Sequence, residues 1–263
     1  MDSEAHSNRG AGDSCPGAPP TAWIVTCEHG GNKIPDRYRS FFAGHEALLA
    51  GHRGWDPGAL PLARYLARHL RAPLHFSRIS RLLVDLNRST HHPRVFSSIV
   101  RSLPRNERED ILDRWYRPYR GKVTGAVRAS VGSGHVVVHV AVHTFTAVLD
   151  GKTREVEVGL LFDPARASEK TFCHALGRQL RRRLLEGKQP VRVRLNQPYQ
   201  GRSDGLATAL RRGFPAHAYL GIELEVNQAL ILGSTSAWPR TRRILLESLR
   251  AAVVDGGLFL PGS

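Results

Sequence analysis

Short apolar runs alternate along the chain with stretches whose apolar residues recur every three to four positions. The first pattern predicts strands and the second helices. Ala22-Trp23-Ile24-Val25-Thr26-Cys27 predicts a buried strand that stops at the turn-rich Glu28-His29-Gly30-Gly31-Asn32. Asp56-Pro57 then opens a helix, with Asp as its N-cap, Pro at its first position and Leu60, Ala63, Leu66, Ala67 and Leu70 on its apolar face. Further strands are expected at 73–76, 82–86, 135–142, 156–162, 191–195 and 219–226, and further helices at 107–118, 167–186, 206–212 and 239–253. This alternation predicts an α/β protein built on a mainly parallel or mixed central sheet flanked by helices. Residues 1–20, rich in Gly, Pro and Ser, have nothing to pack and are expected to form a disordered tail, leaving one domain over 21–263.

In sheets of this kind ligands sit beyond the carboxyl ends of the strands. Glu28 and His29 follow the first strand, Asn87 and Arg88 the run at 82–86, and His143 the Val-rich run, while Glu225 ends the last strand. Two histidines, a carboxylate and an Asn-Arg pair on one rim have the makings of a metal hydrolase site. The metal would activate a water, the carboxylate would move protons and the Arg would hold an acidic substrate. His135, His139 and His143 are four residues apart, so neighbours on a regular strand are about 13 Å apart and cannot share one ion. His135 and His139 therefore read as hydrogen-bonded structural residues. Asp56 has two readings, helix cap or ligand. Glu223 and Glu225 face one side of their strand, and Glu225 is nearer its end. Arg202 is the useful cation of a turn-rich loop at 197–205, and Cys27 reads as a buried thiol. Gly30-Gly31 has no following Lys-Ser/Thr, so it is a turn and not a P-loop.

The net charge, 38 − 23 = +15, changes this picture little. Of the 38 basic residues 33 are Arg, scattered through helices (Arg181, Arg182, Arg183; Arg240, Arg242, Arg243) with no aromatic-interleaved stripe. A nucleic-acid partner is not expected, and an anionic small substrate would use the same field. No apolar run approaches the roughly 20 residues that span a bilayer. No secretory signal is visible, and three cysteines without a CxxC pair exclude a disulfide scaffold, so a cytoplasmic location is expected.

Cys27-Glu28-His29-Gly30-Gly31-Asn32-Lys33-Ile34-Pro35, Gly54-Trp55-Asp56-Pro57-Gly58-Ala59, Ser80 to Arg88, His143-Thr144-Phe145-Thr146 and Gly221 to Gln228 together resemble the N-formylglutamate amidohydrolase family. That family is related to zinc carboxypeptidases and aspartoacylases. The resemblance implies a zinc-carboxypeptidase/phosphorylase-hydrolase-like fold and a Zn2+ or other divalent metal cofactor. The substrate it implies is a small anionic N-acyl amino acid such as N-formylglutamate. It also implies His29 and His143 as metal ligands, Arg81 as an oxyanion stabiliser, Asn87 and Arg88 as the clamp on the substrate's free carboxylate, and Glu225 as the catalytic carboxylate. Arg202 is the candidate for the side-chain carboxylate. Where the carboxypeptidase pattern has a ligand Glu, three residues after the first His, this chain has Asn32. The third ligand is then Asp56 or, as local rival, Glu28. Two alternatives keep the fold: a metallohydrolase acting on a peptide terminus or another N-acyl amino acid, and an inactive, basic, polyanion-binding relative.

Overall fold

The valine-rich runs pair into one sheet in the computed structural model, which describes residues 19–186, 191–233 and 237–257. Its strands are β1 (Thr21–Cys27), β2 (Leu74–Phe76) and β3 (Val136–Phe145); β4 (Val148–Leu149) and β5 (Lys152–Thr153) form a separate hairpin; β6 (Val158–Leu161), β7 (Val193–Leu195) and β8 (Tyr219–Asn227) complete the sheet. The order is β2-β1-β3-β8-β6-β7, with every neighbouring pair parallel except the antiparallel β6 and β8. Principal helices are α1 (Ala59–Leu70), α2 (Arg117–Gly132), α3 (Ala167–Glu186), α4 (Leu206–Gly213) and α5 (Trp238–Asp255). The result is a single-domain α/β architecture with a mixed sheet between helices. Of the expected tail, residues 1–18 lie outside the described residues.

The two faces of the sheet differ, because side chains alternate along a strand. Trp23, Val25 and Cys27 of β1, Val138, Val140 and Val142 of β3, and Leu220, Ile222, Leu224 and Val226 of β8 bury against α1, α3 and α5. Each fully buried aliphatic side chain there contributes about 1.5–3 kcal/mol. On the opposite face Ile24, Val137 and Tyr219 join a second core under α2, α4 and the segments at 34–42 and 82–112, which include short helices. That face turns polar towards the carboxyl ends of the strands. Thr26, His139 and the Tyr219 hydroxyl come first, then Glu28, His143 and Glu225. The four-residue histidine spacing reflects this: His139 and His143 share the second face. His139 is fully buried and bonded to Thr26 Oγ1 at 2.8 Å and Tyr219 Oη at 2.7 Å, the structural role expected of it.

Three expected elements differ. Residues 82–86 form buried turns instead of a strand. Leu83, Val84 and Leu86 insert into the second core while Leu83 N and Val84 N donate to Ser80 O and Asp85 N to Val95 O, so the apolar run marks burial without strand pairing. The helix after Asp56 begins at Ala59, with Gly58 as its N-cap at φ +86° and no side-chain cap. Asp56 does not cap, because its carboxylate is engaged elsewhere. The helical stretch expected at 107–118 is divided into Arg105–Ile111, a π turn at Leu112–Tyr116 and α2.

Candidate active site

β1, β3 and β8 run parallel, so their carboxyl ends open on one edge. His29 leaves β1 there, while His143 and Glu225 sit in direct register on β3 and β8. Backbone bonds draw in the remaining loops. Asp56 N donates to His29 O (2.9 Å), and Gly54 O accepts from Arg81 N (3.1 Å) and Ser80 Oγ (2.9 Å). Gly159 of β6 allows a further approach. A Cβ there would lie 2.1 Å from Gln197 O and 3.2 Å from Glu225 Cβ.

His29, Asp56 and His143 are buried, and each offers a metal-donor atom within 4.8 Å of the others'. Asp56 Oδ2 lies 2.9 Å from His143 Nδ1 and 3.4 Å from His29 Nδ1. Tetrahedral bonds of about 2.0–2.2 Å separate ligand atoms by roughly 3.3–3.6 Å, so the donor chemistry and the Asp56–His29 spacing fit a divalent ion such as Zn2+. Asp56 and His143 stand at hydrogen-bond distance, slightly closer than coordination would hold them. The far nitrogens face carboxylates, as in metal sites whose ligands are oriented from behind. His29 Nε2 bonds Asp85 Oδ1 at 2.7 Å. His143 Nε2 lies 3.2 Å from Glu28 Oε2, a charge contact off the line of a hydrogen bond that leaves this oxygen unpartnered. Glu28 Oε1 accepts from Tyr119 Oη at 2.9 Å. Although burial opposes ionisation, His143 holds the Glu28 carboxyl down at about 2. Glu28 thus sits behind His143, and Asn32 donates away to Leu49 O. Arg81 Nη2 donates to Asp56 Oδ1 and lies 2.7 Å from His29 Nδ1, so a cationic nitrogen rests against two of the three donors.

Above this floor opens a cavity of about 820 Å³. Glu225 and Glu223 line it, as do Asn87, Arg88, Arg154 and Tyr199. Glu225 is buried, with Oε2 unpartnered. Burial pushes its pKa up to about 7, Asp56 and Glu223 adding to the shift while His143 and Arg81 oppose it. Asn87 Oδ1 accepts from Leu206 N at 2.7 Å, which fixes the amide with Nδ2 as its donor, 3.5 Å from His143 Nε2. The π turn brings Tyr116 Oη onto Arg88 O (2.6 Å), Arg120 Nη1 reaches Leu86 O (3.0 Å), and Arg88 Nη1 donates to Asp204 O (2.8 Å). Seven of the eight site residues expected from sequence therefore gather at this cavity. The exception is Arg202: it is exposed and does not line the cavity, although Gln200, Ser203 and Asp204 around it do. Arg154 is the lining cation that the strand-end argument missed. Its signal was Asp150-Gly151 between two short β-prone pairs, a strong two-residue hairpin mark directly after β3.

Comparison with known proteins gives a consistent assignment. The sequence profile described as N-formylglutamate amidohydrolase matches residues 21–232. A solved gene product of Agrobacterium tumefaciens is 27% identical over 90% of this chain and 92% of its own, with a TM-score of 0.71. An N-formylglutamate amidohydrolase from Ralstonia eutropha JMP134, 18% identical over 90% of this chain and 96% of its own, superposes with a TM-score of 0.64 and shares the fold. A search of curated proteins returns no match.

Proposed function

The chain belongs to the N-formylglutamate amidohydrolase family and is an amidohydrolase; from that premise we propose that it is metal-dependent and removes a formyl or similar small acyl group from an acidic amino acid such as glutamate. The observation that carries this reading is the His29, Asp56 and His143 donor set beside a buried Glu225 whose pKa is raised to about 7. His29, Asp56 and His143 would hold the ion, with Asp85 and Glu28 orienting the two imidazoles from behind. A divalent metal bound there would supply Lewis acidity, polarising the amide carbonyl and bringing the pKa of a water towards about 7.

The remaining chemistry belongs to the chain. Glu225, populated in both protonation states near neutrality, takes the proton of the attacking water on its carboxylate and then delivers it to the departing amine. Arg81, whose guanidinium has donors beyond the one given to Asp56, offsets negative charge on the former carbonyl oxygen in the tetrahedral state. Asn87 Nδ2 and the Arg88 guanidinium bind the amino acid's α-carboxylate, in a planar, forked geometry that Lys does not offer. Among the described residues the free, buried cysteines Cys27 and Cys173 fit the reducing cytoplasm proposed as its location.

A second reading keeps the chemistry but enlarges the substrate to a longer N-acyl amino acid or a peptide terminus. It is favoured by the cavity volume, towards the upper end of the roughly 300–1,000 Å³ typical of small-molecule sites. Turnover of N-formylglutamate against longer N-acylglutamates and short peptides separates the two. For either, Glu225→Gln is expected to lower kcat by about 10²–10⁴ with KM little changed. Turnover by this variant at the wild-type rate rejects the role given to Glu225.

A further inference from the structure

We propose that Arg154 is a specificity-determining residue that binds a second carboxylate of the substrate, so that the cavity selects dicarboxylic amino acids; this deepens, and rests on, the amidohydrolase reading above. The hairpin of β4 and β5 turns at Asp150 and Gly151, both at positive φ, and returns the chain so that Arg154 N donates to Ala147 O at 2.8 Å. Arg154 thereby reaches back over the end of β3. Its guanidinium carbon stands 5.4 Å from the Phe145 ring centroid and 5.2 Å from that of Tyr199, two aromatic faces holding one cation. Phe145 is two residues beyond His143 and so on the same face of the strand, about 7 Å further along. That offset is comparable with the reach from a scissile acyl carbon to the side-chain carboxylate of a glutamate.

The hydrogen-bonding capacity of this group is mostly unspent. Of its five N–H donors the described residues engage one, through Nη1 to Tyr199 Oη at 2.9 Å, and among them it forms no ion pair. The other arginines near the floor have different parts: Arg81 donates to Asp56 and faces the oxyanion, and Arg88, whose Nη1 donates to Asp204 O, is given the α-carboxylate. Arg94 also lines the cavity, but it is exposed and has no comparable seat. A half-buried guanidinium, pre-ordered by stacking and facing a polar cavity, gives a forked, charge-assisted pair to a carboxylate and has little ordering left to lose. With the α-carboxylate on the Asn87-Arg88 wall and the amide over the His29, Asp56 and His143 floor, the Phe145 wall is left for the side chain. Arg154 therefore takes the part expected of Arg202.

The test compares full-length wild type, Arg154→Met, Arg154→Lys and Arg202→Met. It measures kcat/KM on N-formyl-L-glutamate and N-formyl-L-glutamine, and calorimetric binding of L-glutamate and L-glutamine. Wild type should prefer the charged member of each pair by about 100-fold. Arg154→Met should bring both ratios near unity through KM and Kd, Arg154→Lys should recover part of the preference, and Arg202→Met should leave it intact. The inference is overturned if Arg154→Met keeps the preference, if Arg202→Met abolishes it, or if charged and neutral ligands weaken equally, as they would when a hairpin merely loosens. Wild type without turnover of either formyl compound, but with binding that favours glutamate through Arg154, keeps the subsite and dismisses the amidohydrolase substrate instead. Absence of any binding preference in wild type overturns the subsite itself.

Discussion

Both site histidines are gripped through two ring nitrogens, with Asp56 in front and a carboxylate behind: Asp85 for His29, Glu28 for His143. One turn of the strand pattern deeper, His139 has no carboxylate bonded to it. Burial holds its pKa down at about 4, with Arg211, His75 and His143 adding to the shift and Glu28 opposing it. The unfolded chain titrates near 6.5, so it takes up this proton first as pH falls. The stability due to neutral His139 is therefore complete above about pH 6.5 and declines as pH drops through the folded value, by about 3 kcal/mol in all. Urea unfolding between pH 8 and 4 should show wild type losing that much more stability than His139→Gln, and parallel losses would contradict the assignment. Asp56 was ambiguous in sequence because Asp-Pro-Gly-Ala satisfies a helix start as well as a ligand. What the linear pattern lacks is Arg81 and His143, the partners that draw its carboxylate off the helix.

At the scale of elements, strands with dense β-branched residues, β3 and β8 above all, were legible to within two or three residues at each end, because burial on both faces demands continuous apolar runs. The same reasoning failed at 82–86, where three buried side chains sit on turns, since apolar character reports burial without reporting backbone pairing. The β4 and β5 hairpin carries its mark in Asp150-Gly151, but its strands are two residues each, too short for an apolar alternation that would point to Arg154. Close approach of elements is likewise invisible to periodicity. Gly159→Ala puts a methyl 2.1 Å from the Gln197 carbonyl, against backbone that cannot rotate aside. It should cost about 1–3 kcal/mol, lowering Tm by several degrees, and displace the loop that brings Tyr199 and Asp204 to the cavity. Gly125→Ala in α2, where nothing lies within 4 Å of an added Cβ, should instead gain roughly 0.5–1 kcal/mol. Thermal unfolding of the pair distinguishes them, and similar Tm values would refute the steric account.

Over the whole molecule, parallel β1, β3 and β8 bring residues more than a hundred positions apart to one edge, which is why strand-end residues could be picked from sequence before their mutual distances were known. A chain of net charge +15 gathers Glu28, Asp56, Asp85 and Glu225, all buried, beneath a cavity whose rim includes Arg88, Arg94 and Arg154. Such a field attracts an anionic substrate to the mouth and a cation to the floor. No described helix is long and apolar enough to cross a membrane. The central claim is that the floor binds a divalent ion on which turnover depends. Its most direct test is elemental analysis of purified wild type and His143→Ala, paired with N-formylglutamate turnover before chelation, after it, and after metal is restored. The account predicts about one divalent ion per wild-type chain, little in the variant, and activity lost on chelation and regained with metal; turnover that persists undiminished in metal-stripped protein would contradict it.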